Sequence, residues 1–283
     1  MTQIATLTSA ADFGPLGPRE FRRICELVRE RAGIELGESK LHLCQTRLIR
    51  RLRALGLKSY TAYVALLDDA HAAEHTELVN AITTNVTSFF REQHHFDLLG
   101  KTLLPEIAAR SKRIRIWSAG CSSGEEPWSV AITIRQALGA CTGLDVKVLA
   151  TDIDTQVIAH ARAGVYKSEH VEPVPNAALQ RYFSRGTGAN DGMWRVTDEL
   201  RSLVTFKQLN LFDPWPMQGP FDLILCRNVI IYFDTENKAK LLRRYHDMLA
   251  PNAHLFLGHS ESITTGVQGF ALVGRTAYRR TTA

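Results

Sequence analysis

The sequence predicts an α/β protein in which helices cover an open, mostly parallel sheet, preceded by a separate all-helical domain. Residues 18–85 read as helix after helix. After Arg110, short apolar runs alternate with helical stretches, the pattern of parallel strands linked by crossovers. The closing segment FALVGRTAYRR alternates apolar and polar residues and follows the fifth strand-like run too closely for a helical crossover, so the last strand is expected to be antiparallel.

Residues 1–17 are read as a tail and 18–85 as the helical domain. Helices are expected at Arg19–Arg31, Lys40–Leu57, Tyr60 to about His71 and Glu74 to about Thr83, a small bundle. Within the second, Leu41, Cys44, Leu48, Leu52 and Leu55 recur at steps of three and four and form one buried stripe, with Lys40, Arg47, Arg50 and Arg51 on the opposite side. No acid lies between Lys40 and Lys58, so this face cannot neutralise itself by ion pairs along its own helix. Residues 1–58 hold 11 Lys and Arg against 6 Asp and Glu, a surplus of five that equals the net charge of the whole 283-residue chain. Such a local basic patch is either a solvated arginine face or a dock for an acidic partner.

Residues 86–110 are read as a linker and connecting helix, and 111–283 as the sheet domain. Its strands are placed at 113–118, 146–151, 204–209, 221–226 and 254–259, and its helices at about 127–138, 154–163 and 235–249. Residues 166–203 interrupt the alternation with a helix near 176–183, the turn-forming run RGTGANDG and the strand MWRV, and are read as a small inserted β-unit.

With 45% hydrophobic and 22% charged residues the chain can bury a full core. The start MTQIATLTSAADFG has no basic, apolar signal pattern, and no stretch approaches the roughly 20 apolar residues of a membrane span. A soluble, cytoplasmic protein without membrane insertion is therefore expected. The five cysteines are scattered, with no C-x-x-C pair, and are read as reduced thiols. Residues 71–75, HAAEH, match a zinc-binding pattern, but three matched positions arise easily by chance in an Ala-rich polar helix, and no metal is expected.

Four segments carry the chemistry. The first strand runs into SAGCSSGEEPWS, a glycine-containing turn before a helix expected to begin at Pro127. It lacks G-x-G-x-x-G, and Glu125 and Glu126 would repel a pyrophosphate at that helix start. The acids either cap the helix or hold a ligand's ammonium group. The second strand ends in ATDID, which puts Asp152 at the carboxyl edge of the sheet, where it either accepts ribose hydroxyls or caps the next helix. At the fourth strand, CRNVIIYF places Arg227 and Asn228 at the same edge. In TTNVTSFFRE, Asn85, Thr87 and Arg91 alternate around Phe89 and Phe90, aromatics able to anchor the segment while the polar residues face a ligand.

Taken in order and spacing over about residues 18–280, TTNVTSFFRE, WSAGCSSGEEPWS, LATDIDT and LILCRNVIIYF with LGHSES resemble the signature segments of the CheR-type chemotaxis-receptor glutamate methyltransferases. The resemblance implies a class I S-adenosylmethionine-dependent methyltransferase domain, Rossmann-like, behind an all-α domain and carrying a small antiparallel β-subdomain. It implies that Asn85, Thr87, Arg91, Glu125, Asp152, Asn210, Leu211, Arg227 and Asn228 line the S-adenosylmethionine site, with S-adenosylhomocysteine the product. Arg91 and Tyr232 would face the transferred methyl. Glu125 is preferred over Glu126 because it lies nearer the strand. Since the receptor's methylated region is a glutamate-rich helical bundle, Lys40, Arg47, Arg50 and Arg51 would dock it. RGTGANDGMWRV, with Gly186, Gly188, Gly192 and Trp194, resembles a loop that in some relatives binds a receptor C-terminal peptide by adding a strand.

A glutamate carboxylate, with a reference pKa of about 4.3, is already ionised at neutral pH, so its methylation requires no general base. Charge diminishes in the transition state, which makes orientation the main contribution expected of the protein. A nucleic-acid methyltransferase is disfavoured: the chain has neither an N-P-P-[YF] run nor a Pro-Cys dipeptide, so no nucleic-acid partner is expected. A non-catalytic module that keeps the pocket for signalling is the remaining rival.

Overall fold

The computed structural model describes residues 13–69, 72–263 and 266–281. They form two compact units that divide after Thr84.

The first unit is a four-helix cluster: α1 (Pro18–Ala32), α2 (Leu41–Leu55), α3 (Tyr60–Asp68) and α4 (Ala72–Ile82). Pro18 opens α1, Gly33 and Gly56 end α1 and α2 in the left-handed region, and the Ser59 hydroxyl caps α3 by accepting from the Ala62 N–H. Ile24, Val28, Cys44, Leu48, Leu52, Tyr63 and Leu67 fill the core. The expected stripe on α2 is centred differently: Leu41 and Leu55 at the helix ends are not buried, and Ile49 is.

The basic face of α2 is also not what its sequence suggests. The Arg51 guanidinium is held by Glu74 at 2.6 and 3.0 Å and by Glu77 at 3.2 Å, acids that α4 brings across. Arg47 donates to the carbonyls of Ile82 and Thr83, the unsatisfied acceptors at the end of α4. Of the four residues expected to form a free docking face, only Lys40 and Arg50 are exposed. Glu74 also accepts from the Tyr63 hydroxyl at 2.8 Å, and His75 Nε2 lies 2.9 Å from the Leu67 carbonyl. The zinc-like pattern thus loses its acid to Arg51 and Tyr63, and His71 lies outside the described residues.

In the second unit, α5 (Gln93–Leu98), a π-helical turn (Leu99–Leu103) and α6 (Leu104–Arg110) form one continuous helical stretch that leads to the sheet and packs against its first strand and the helix after it. There follow β1 (Arg113–Ala119), α7 (Glu125–Leu138), β2 (Asp145–Asp152), α8 (Thr155–Ala163), β3 (Val165–Lys167), α9 (Ser168–Val171), α10 (Asn176–Tyr182), β4 (Phe183–Arg185), β5 (Met193–Val196) and α11 (Asp198–Arg201). The chain continues through β6 (Val204–Gln208), β7 (Phe221–Cys226), α12 (Thr235–Met248), β8 (Leu249–Leu257), β9 (Phe270–Gly274) and β10 (Ala277–Arg280).

The large sheet has the order β6-β2-β1-β7-β8-β10-β9, with β6 to β8 parallel. β10 and β9 are antiparallel, so the closing segment is a hairpin and not the single strand expected. β8 also starts five residues earlier than expected, because Asn252, which with Pro251 reads as a turn, is accommodated at φ 62° inside the strand. Successive strands run outward in one direction from β1 and then in the other from β7. The carboxyl ends of β1 and β7 therefore flank the crevice where ligands bind in open α/β sheets. The inserted unit is a three-stranded antiparallel sheet, β3-β5-β4.

Candidate active site

The β1–α7 turn shapes one wall of the crevice. Gly120 (φ 98°) is required there, since a Cβ would sit 2.3 Å from Val229 Cγ2, and the N–H groups of Gly120 and Cys121 both reach the Thr151 carbonyl at the end of β2. Helix α7 begins at Glu125, two residues before the expected Pro127, which places both acids in its first turn.

The two acids then part. Glu126 is buried, accepting from the Ser118 hydroxyl at 2.7 Å and from Arg227 at 3.0 Å, and burial pushes its carboxyl up. Glu125 accepts from the Ser123 hydroxyl at 2.7 Å, on the turn itself. First-turn carboxylates suit a ligand's ammonium group and oppose a phosphate, so this donor set fits the amino acid end of S-adenosylmethionine.

Asp152 stands at the end of β2, but both of its oxygens are taken by backbone: Ser122 N at 2.8 Å and Asp154 N at 3.0 Å. It ties β2 to the β1–α7 turn, and burial raises its carboxyl. The helix cap at this edge is Asp154, whose Oδ1 accepts from Gln156 N and Val157 N while Oδ2 accepts from Asn85 Nδ2 at 2.7 Å. Since Ser122 Oγ donates to the Asn85 carbonyl at 3.1 Å, Asn85 is pinned to the ends of both β1 and β2.

From Asn85 the segment runs along the crevice. Phe89 and Phe90 do anchor it: both are buried, Phe89 edge-on to Tyr166 (5.1 Å) and Phe183 (5.6 Å), Phe90 edge-on to Phe96 (5.3 Å). Half-exposed Arg91 closes the segment on itself by donating to the Val86 carbonyl at 3.0 Å, and Thr87 is half-exposed beside it.

Arg227, expected to line the cofactor site, lies behind the carboxyl edge of the sheet. Its side chain is 2% exposed and turned inward, donating to Glu126, pairing with Glu92 at 3.4 Å, bonding the Arg91 carbonyl, and lying over the Phe96 ring. Burial raises Glu92, but the Arg227 charge and hydrogen bonds from His259 outweigh it and hold the carboxyl below the usual range. Its neighbour His95 is buried, stacked on Phe256, and pushed down to about 4 by desolvation and by the Arg227 charge.

Asn228 turns the chain at φ 58°, its N–H donating to Glu261 Oε2 at 2.8 Å. Glu261 is buried, burial raises its carboxyl, and it also accepts from Gly258 N and Ile231 N, so it organises the turn that presents half-exposed Tyr232. Beyond β6, the Asn210 side chain accepts from Phe212 N and donates to Asp213, and Leu211 is buried with its carbonyl bound by Arg244 and Trp215. Non-glycine residues Phe90, Glu92, Ser122 and Asn228 all adopt positive φ along this edge, the strain that functional sites concentrate.

Three of the expected site residues are tied into constellations: Asn85 with Ser122 and Asp154; Arg227 with Glu92 and Glu126; Asn228 with Glu261. Asp154, Ser122, Glu92 and Glu261 went unassigned in the sequence, although Glu92 closes TTNVTSFFRE and Glu261 sits in LGHSES. In the inserted sheet, Gly188 and Gly192 adopt positive φ, and Gly186 leaves no room for a Cβ beside the Asn190 carbonyl. Trp194 lies on the middle strand β5, its indole N–H on the Ser168 hydroxyl, so the open edges belong to β3 and β4.

A sheet of this order, with an acid-bearing turn after β1 and a polar segment pinned across β1 and β2, defines a class I S-adenosylmethionine-dependent methyltransferase. Residues 85–279 match the family model described as CheR methyltransferase, SAM binding domain, and residues 19–83 the one described as CheR methyltransferase, all-alpha domain; the chain belongs to this family. The chemotaxis protein methyltransferase of Salmonella typhimurium is 45% identical over 93% of this chain and 90% of its own length. Chemotaxis protein methyltransferase 2 of Pseudomonas aeruginosa is 45% identical over 92% of both, and the Borreliella burgdorferi chemotaxis protein methyltransferase 37% over 86% of this chain and 88% of its own.

Proposed function

We propose that this enzyme transfers a methyl group from S-adenosylmethionine to glutamate side chains of chemotaxis receptors, forming methyl esters that adjust chemotactic signalling. What carries the reading is the match to both family segments in order, together with a polar 85–92 segment fixed at the carboxyl edge of the sheet.

The cofactor supplies an electrophilic methyl on a sulfonium. Glu125 holds its ammonium group, Asn85, Thr87 and Asn228 line the crevice, and Asn210 and Leu211 meet the adenine end. Asp152 acts through the backbone turn it ties together, with Asp154 beside it the acid closer to the segment. Arg227 acts as a positioning residue: through Glu126 and Glu92 it fixes the start of α7 and the backbone at Arg91. Arg91 and Tyr232 orient the acceptor carboxylate, which arrives ionised and leaves no proton to be removed.

Lys40 and Arg50 provide the exposed charge that meets the acidic receptor bundle. Arg47 and Arg51 support that face by fixing α2 to α4. A receptor C-terminal peptide, where one is used, adds to the open edge of β4, with Gly186, Gly188 and Gly192 shaping the adjoining loop and Trp194 packed behind it. No helix among the described residues is long and apolar enough to cross a membrane. In this reading the enzyme meets the receptors at their cytoplasmic bundle.

Incubating the protein with methyl-labelled cofactor and receptor-bearing membranes tests the reading. Label released as methanol by mild base is the expected result; base-stable label, or none, would refute it.

A further inference from the structure

From a recess beside the crevice we infer that the enzyme seats a second carboxylate of its acceptor, and so selects glutamates that have an acidic neighbour on the same helical face. The inference rests on the reading of the chain as a receptor glutamate methyltransferase. The recess, of about 290 Å³, lies between the turn at 230–232, the start of α12 and residues 260–263. Besides Glu261, four polar groups line it: the Lys238 ammonium and the hydroxyls of Thr235, Ser260 and Ser262. None of the four has a hydrogen-bond or ion-pair partner among the described residues. Ile231 and Ile263 add apolar wall suited to a methylene stem.

The acid at the floor is engaged by backbone and makes no ion pair with Lys238. Glu261 is 5% exposed, and its two oxygens accept from Gly258 N at 2.6 Å, Asn228 N at 2.8 Å and Ile231 N at 3.2 Å. Asp234, at the head of α12, is likewise committed, capping the helix through Asn237 N at 2.8 Å. A half-buried ammonium with three unengaged hydroxyls, next to apolar wall, matches one carboxylate side chain.

Position links the recess to the reaction. Ile231 lines the recess and the next residue on the same short turn is Tyr232, to which the proposed function gives the acceptor, so one turn joins the two. On an α-helix, side chains three or four positions apart stand roughly 5–6 Å from each other at Cβ. An acceptor glutamate presented beside Tyr232 therefore brings the residue one turn away over Ile231 and towards Lys238.

The test uses the full-length enzyme and receptor cytoplasmic fragments, each with one methylatable glutamate whose neighbours three and four positions away are Glu, Gln or Lys. Wild type should prefer the acidic-flanked acceptor over the Gln-flanked one by roughly tenfold in kcat/KM. Lys238→Gln should erase that preference, and Lys238→Glu should turn it towards the Lys-flanked acceptor. S-adenosylhomocysteine affinity should be the same in all three proteins, which separates acceptor selection from damage to the cofactor site. Unaltered preference in Lys238→Glu, with esters still forming, overturns this inference alone. Failure of wild type to form base-labile esters on any fragment overturns the underlying reading with it.

Discussion

Each unit of the molecule contains an arginine clamped between two glutamates, and the two clamps do different work. Arg51, between Glu74 and Glu77, has a side chain 21% exposed and fastens α2 to α4 within the helical unit. Arg227, between Glu126 and Glu92, is 2% exposed and sits behind the carboxyl edge of the sheet, where Glu92 and Asn228 hold strained left-handed backbone. Solvent reaches Arg51 and Glu77 of the first clamp, whereas Glu74, at 7%, is as buried as Glu92 and Glu126 at 10%; the difference lies in the arginine and in one acid. The same residue types thus serve two ends: a half-buried arginine fastens two helices, and a fully buried one braces the strained backbone behind the sheet edge.

Breaking the buried clamp should have the largest effect. Arg227→Met strands two carboxylates away from water and should lower unfolding free energy by about 3–5 kcal/mol, read from urea midpoints at constant m-value. It should also abolish S-adenosylhomocysteine binding in whatever fraction stays folded. Equal losses for Arg227→Met and Arg51→Met would collapse the distinction between the clamps.

Acid should probe the same place. His95, next to Glu92 and Arg227, has a folded pKa of about 4 against an ordinary value of 6.5, so the folded state resists protonating it. That contribution to stability is complete above about pH 6.5 and is lost as pH falls towards 4, by roughly 3 kcal/mol in all. Glu126, Asp152 and Glu261, whose carboxyls burial raises, titrate in the opposite sense. The informative quantity is therefore the difference between wild type and His95→Gln across pH 7.5 to 4. A difference that does not change with pH would contradict a neutral, buried His95.

The Arg51 clamp should yield less. Arg51→Met should cost about 1–2 kcal/mol of stability, because Glu74 keeps the Tyr63 hydroxyl and Glu77 is part-solvated. It should leave the KM for receptor nearly unchanged. Arg50→Glu, at an exposed position, should leave stability within about 0.5 kcal/mol of wild type yet raise the KM for receptor several-fold at low salt, an effect that fades as salt is added. A reversed pattern would return Arg51 to the docking face.

Apolar patterning made most of the sheet legible, since strands buried on both faces write continuous runs such as FDLILC. The anchoring phenylalanines were legible too, as two adjacent aromatics have few uses in a polar segment. What local sequence could not disclose was partnership over distance. The absence of acids along α2 said nothing of Glu74 and Glu77 arriving from α4, and Arg227 looked like an edge residue because its partners lie 101 and 135 positions away. The sequence offered Asp152 as a cap for the next helix, and only the backbone geometry of the turn gives that role to Asp154, two residues on.

The central claim is that the carboxyl edge of the sheet, braced by Arg227 and Asp154, binds S-adenosylmethionine. Calorimetric titration of S-adenosylhomocysteine into the wild-type protein tests it most directly. One molecule should bind per chain, and NAD should give no heat. A folded protein that gives no heat with the nucleoside, or that binds the dinucleotide instead, would contradict the account.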